Sequence, residues 1–168
     1  MLGKQMIEQL KLLSEGHITL AQQPDSDDFD RLVVVDGASS ALITLRDHDR
    51  YSVMFHTLQV SVQHPAPQGL MQCTSRVINN LSYFEQPFAL YEYAEDEGIA
   101  QIRSNPPVRD GDALWYWEAV LQLGDHASLS LARYHWSPQL PERELSSYPA
   151  TFDFVGRVVN SLRLVLDD

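Results

Sequence analysis

Between Gly111 and Trp136 the chain reads GDALWYWEAVLQLGDHASLSLARYHW, and no other stretch leaves so little choice of fold. Trp115, Trp117, Ala119, Leu121 and Leu123 fall on one face by strict alternation. Leu114, Tyr116, Glu118, Val120 and Gln122 fall on the other. Gly124-Asp125-His126 interrupts the run with turn chemistry, and Leu129, Leu131, Tyr134 and Trp136 resume the apolar pattern. Period-two alternation on both sides of a Gly-Asp turn predicts two long antiparallel strands joined as a hairpin. All three tryptophans of the protein lie in it, so this ribbon predicts where much of the core is built.

The remaining elements are read around that ribbon. Met1 to Glu15 predicts a helix, because Met6, Leu10 and Leu13 recur at i, i+4 and i+7 with Ile7 and Leu12 beside them, and Gly16 is placed to end it. Gln22 to Asp30, with Pro, Asp and Ser, reads as an acidic loop. Arg31 to Gly37, Ala41 to Leu45 and Tyr51 to Val62 predict three strands of a meander, since the connections are too short for crossover helices. In the third, alternation puts Met54, His56, Leu58, Val60 and Val62 on one face. Gly69 to Tyr83 predicts a second helix with Leu70, Cys73, Val77 and Leu81 on its stripe. Phe88 to Tyr93 and Ile99 to Ser104 are a strand pair, and 105–112 a loop leading into the long hairpin. The proline-punctuated segment Ser137 to Pro149 reads as surface loop. Thr151 is placed to cap a last helix, with Phe152, Val155, Val159, Leu162 and Leu166 as its stripe and Val158 and Val165 widening it. Strands grouped between helices predict one α+β domain over 1–168, an antiparallel sheet with helices from the amino terminus, the middle and the carboxyl terminus packed on it.

Charge narrows the partners. Asp and Glu number 23 against 12 Lys and Arg, a formal net charge of -11. Such a surface repels phosphate backbones and anionic headgroups, so neither nucleic acid nor membrane is expected as a partner. Lone Cys73 excludes an internal disulfide and a cysteine-rich metal site. The first residues carry both charge signs and lack the apolar core of a signal peptide, and no run approaches the roughly 20 apolar residues of a membrane span. A cytoplasmic, reduced protein is the expectation.

No motif announces chemistry. The six histidines (His17, His48, His56, His64, His126, His135) include no helical i, i+4 zinc pair. Cys73 sits on an apolar stripe, where a thiol packs as a small hydrophobe. Glu95-Asp96-Glu97-Gly98 lacks the loop length of a calcium site, and no serine stands in a nucleophile elbow. No cofactor or metal is expected, and no enzymatic activity; a catalytic site would have to be assembled from dispersed polar residues.

The aromatic residues exceed what one face of a small sheet needs. Trp115, Tyr116, Trp117, Tyr134 and Trp136, with Tyr91 and Tyr93 on an earlier strand, serve either as core or as a surface for a partner chain or ligand. The order of elements, with Leu70 to Tyr83 as a central helix, Gln86-Pro87-Phe88-Ala89-Leu90 returning to a strand and Ile99 to Ser104 following a turn, resembles the type III secretion chaperone fold and the related YbjN-like proteins. That resemblance implies a non-enzymatic, homodimeric binding module, an adaptor that holds an extended or apolar segment of a client protein. It implies that Leu70, Val77 and Leu81 serve either the core or a dimer contact on the central helix. The alternative is a small apolar ligand or pigment held in an aromatic-lined β pocket.

Overall fold

The computed structural model describes residues 1–23 and 26–167, the side chains of 21–28 excepted. The chain runs α1 (Leu2–Ser14), β1 (Ala21–Gln23), β2 (Ser26–Asp36), β3 (Ser39–His48), β4 (Ser52–Val62), α2 (Leu70–Asn80), β5 (Phe88–Ala94), β6 (Ile99–Ser104), β7 (Val108–Asp110), β8 (Ala113–Gln122), β9 (Ala127–Trp136), β10 (Glu144–Leu145), β11 (Tyr148–Thr151) and α3 (Phe152–Asp167). A single 3-10 turn, Glu95–Glu97, joins β5 to β6. The sheet is antiparallel, in the order β1-β2-β3-β4-β9-β8-β6-β5, with β7 on β8, β10 on β9 and β11 on β4. This is the expected α+β architecture.

Cross-strand registers separate the two faces. One row reads Leu32, Ile43, Leu58, Leu131, Ala119, Ile102, and the next parallel row on that side reads Val34, Ala41, Val60, Leu129, Leu121, Ala100. Every member is buried, because all three helices cover this side. α3 lies centrally against β4 and β9, with α1 towards β2 and β3 and α2 towards β5 and β6. α3 is the keystone of the layer. Phe152, Val155, Val158, Val159, Leu162, Val165 and Leu166 are all buried, and full burial of such side chains is worth roughly 1.5–3 kcal/mol each. Its start is fixed by Thr151, whose Oγ1 accepts the Phe154 N–H at 3.1 Å.

Two glycines set how closely α1 and α3 approach. A Cβ on Gly3 would collide with the Gly156 carbonyl oxygen, and one on Gly156 with the Ile7 side chain. The Gly3 N–H instead reaches Asn160 Oδ1 at 2.9 Å. Gly16 ends α1 at φ +77, where the His17 N–H closes on the Leu12 carbonyl at 2.9 Å.

The structure departs from the sequence reading where pairing is long-range. The loop expected over 22–30 is largely strand, since β1 pairs Ala21 with Arg31 and Gln22 with Asp30; Pro24 and Asp25 lie outside the described residues. The alternation expected in β4 fails at a bulge. Thr44 pairs with Thr57 and Leu45 with Phe55, so His56 is an extra residue. Val53 and Phe55 therefore join Leu58, Val60 and Val62 under the helices, while Met54 and His56 leave that face. The loop expected at 105–112 contains β7. The surface loop expected over 137–149 contains β10 and the start of β11, which enter the fork where β9 diverges from β4.

Candidate binding sites on the two faces of the aromatic hairpin

The side of the sheet away from the helices has a different composition. Its central row reads Arg31, Thr44, Thr57, Ala132, Glu118, Arg103, and the next reads Val33, Leu42, Gln59, Ser130, Val120, Gln101. Thr44 and Thr57 share a hydroxyl hydrogen bond of 2.6 Å. Glu118, in mid-strand, is only 2% exposed although no helix covers it. Its cross-strand neighbour Arg103 donates Nε–H to Oε2 at 2.6 Å. Arg143 donates to both carboxylate oxygens, at 2.8 and 3.0 Å, and to the Tyr116 hydroxyl at 3.1 Å.

Aromatic rings close over the two guanidiniums. Arg103 lies 3.5 Å from the Tyr91 ring centroid and 4.7 Å from that of Tyr116. Arg143 lies 3.8 Å from that of Tyr134. Tyr91 reaches this position because it is the bulged residue of β5, between the pairs Leu90–Ile102 and Glu92–Gln101. Arg143 is held by the β10 pairing of Glu144 with His135 and Leu145 with Tyr134. Burial on its own would raise the Glu118 carboxyl; the hydrogen bonds and charges of Arg143 and Arg103 outweigh it and hold the pKa below the ordinary carboxylate value. Two guanidiniums against one carboxylate leave the cluster with a positive balance. A second aromatic group stands on this side, with Phe29 stacked on His56 at 3.9 Å and Arg46 5.3 Å from the Phe29 ring centroid.

No protein-family model, curated protein or solved structure matches this chain.

The helix side of the same hairpin holds a cavity of about 190 Å³. Its walls are Phe84 beyond α2, Trp115 and Trp117 of β8, Arg133 of β9, Tyr148 of β11 and Phe154 of α3. Trp117 organises them: its ring meets Phe84 edge-on at 5.3 Å and Tyr148 at 4.9 Å, and stacks on Phe55 at 5.7 Å. The Trp117 backbone N–H donates to Ser104 Oγ at 2.8 Å.

The five hairpin aromatics considered as one surface are thus divided. Trp115 and Trp117 face the helix side, Trp117 at 8% exposure within the core and Trp115 stacked on His135 at 4.7 Å. Tyr116, Tyr134 and Trp136 face the other way, with Tyr116 and Tyr134 stacked at 5.9 Å and Trp136 37% exposed. Period two forbids neighbours in sequence from sharing a face. Leu70 and Val77 of α2, and Leu81 at its C-cap, are buried within this chain's own core. Cys73 is buried beside them, and burial pushes its thiol up. Among the described residues no three His, Cys, Asp or Glu side chains converge as metal ligands, and no helix is long and apolar enough to cross a membrane.

Arg103, Glu118, Arg143, Arg133 and the Phe29–His56 pair are absent from the sequence-derived candidates. Glu118 alone gave a local signal, a carboxylate in the middle of an otherwise apolar strand.

Proposed function

We propose that this chain is a non-enzymatic binding module that holds an extended segment of a partner protein on the helix-free face of its sheet. One observation carries the reading: all three helices share one side, and the side they leave bears rings and guanidiniums held in fixed geometry. The proposed occupant is an extended segment with acidic side chains among apolar ones. Charge complementarity supports it, because Arg31 and Arg46 stand on this face and the Arg103–Arg143–Glu118 cluster adds a net positive charge, in a chain whose net charge is -11. Half-exposed Val33 and well-exposed Val35 of β2 supply apolar contact on the same face.

Fluorescence polarisation with labelled extended peptides of matched hydropathy and opposite charge tests the proposal. Acidic peptides are expected to bind, more weakly as salt is raised. Arg31→Glu and Arg46→Glu each replace attraction by repulsion and are expected to weaken binding by about tenfold. Equal binding of basic and acidic peptides, or no binding of either, would overturn it.

A further inference from the structure

The geometry points to a second binding site, separate from the proposed peptide face: the helix-side cavity takes a small planar aromatic molecule carrying one carboxylate, with the ring among Phe84, Trp117, Tyr148 and Phe154 and the carboxylate on Arg133. The walls account for the ring. The cavity measures about 190 Å³, is partly open to solvent, and sets Ser104, Glu85 and Gln86 beside rings that meet edge-on at Trp117; a closed apolar cavity of about 150 Å³ accepts benzene. There is room for one planar ring system, single or fused, and a small polar group.

Arg133 accounts for the charge. Its backbone is fixed opposite Trp117 in the β8–β9 ladder, and the Ser146 N–H closes on its carbonyl at 2.8 Å. Its guanidinium lies 5.3 Å from the Tyr148 ring centroid. Among the described residues no carboxylate stands within ion-pairing distance of it and no side-chain hydrogen bond engages it. This contrasts with Arg103 and Arg143 across the sheet, which are spent on Glu118. A half-buried guanidinium with open donors in an aromatic-walled cavity suits a planar carboxylate, which accepts two parallel N–H bonds. Burial lowers the Arg133 pKa, against the pull of Tyr148 and Glu85, so desolvation opposes its charge and an anion relieves it. Glu85, also lining the cavity and exposed, already favours the Arg133 charge and repels any anion that enters, a dianion more than a monoanion. A purely apolar ligand would deepen the desolvation of the guanidinium without giving its donors an acceptor.

Calorimetry on the intact protein with benzoate and indole-3-carboxylate, against their uncharged amides, decides it. The acids are expected to saturate and to bind at least about tenfold more tightly than the amides, and Arg133→Gln to abolish that preference. In nitrogen-15 spectra the indole signals of Trp115 and Trp117 should move on titration while that of Trp136, on the opposite face, stays. Absence of saturation at millimolar benzoate and indole-3-carboxylate, equal affinity for acid and amide, or movement confined to Trp136 would overturn the site. The wild-type acid-against-amide comparison decides the matter even where Arg133→Gln does not fold.

Discussion

Replacing Glu118 by Gln keeps the shape of the side chain and removes the charge on which two arginines converge. The wild-type carboxylate accepts three hydrogen bonds, from Arg103 at 2.6 Å and from Arg143 at 2.8 and 3.0 Å. The amide can accept at one oxygen only, and its NH2 group faces guanidinium donors. Removing one partner of a buried ion pair costs about 3–5 kcal/mol. The Arg103 and Arg143 side chains are 23% and 33% exposed, so solvent recovers part of that cost and about 2–3 kcal/mol is expected. With a urea slope of about 2 kcal/mol/M, the unfolding midpoint at neutral pH should fall by about 1–1.5 M with the slope unchanged. The pH dependence supplies a second check. The Glu118 pKa is depressed in the folded protein, so its contribution is fully present above the unfolded value near 4.5 and is lost as pH falls through the folded one. The gap between wild type and Glu118→Gln should therefore narrow in acid below about pH 4.5. An unchanged midpoint at neutral pH, or a gap independent of pH through that window, would refute the account of this cluster as a paired, desolvated charge centre.

Leu162→Asp places an unpaired carboxylate at a fully buried position of α3 and is expected to cost about 4 kcal/mol or more, enough to unfold a marginal domain; wild-type melting by circular dichroism would mean that α3 is not docked through this face. The His56 pKa is lowered by burial and, secondarily, by Arg46. Its contribution to stability is thus present above the unfolded value near 6.5 and declines as pH falls below it. His56→Phe should flatten urea midpoints between about pH 7.5 and 5.5, and a slope unchanged from wild type would exclude His56 as its source.

The helices and the main strands were legible because each carries its own periodicity. The stripes of Met6 and Leu10, of Cys73 and Val77, and of Val155, Val159 and Leu162 are the buried faces of α1, α2 and α3. Alternation likewise divided Trp115 and Trp117 from Tyr116 and Glu118 without further information. Short strands were not legible. β1, β7, β10 and β11 lie in acidic or proline-bearing stretches and exist through neighbours supplied from elsewhere, as when Tyr148 to Thr151 pairs with Ser52 to Phe55. The bulge at His56 was hidden for the same reason, since only the register against β3 reveals that one residue is extra.

The candidate sites divide along the same line. A carboxylate at position 118 in an apolar strand is visible in the sequence. That Arg143, in a proline-rich stretch 25 residues away, turns back to it is not, because no local pattern couples a connecting segment to a strand. Nor does a helical stripe state which face of a sheet it will cover. Each stripe requires some apolar surface, and either side of the hairpin offers rings. Packing α1 and α2 against α3 puts all three helices in one layer, and that long-range choice made Trp117 core, left Glu118 to be closed over by arginine and tyrosine, and set Arg133 at the wall of a cavity. Which residues share a face follows from a two-residue repeat and can be read along the chain; which face is covered follows from contacts between segments far apart in it, and emerges only on folding.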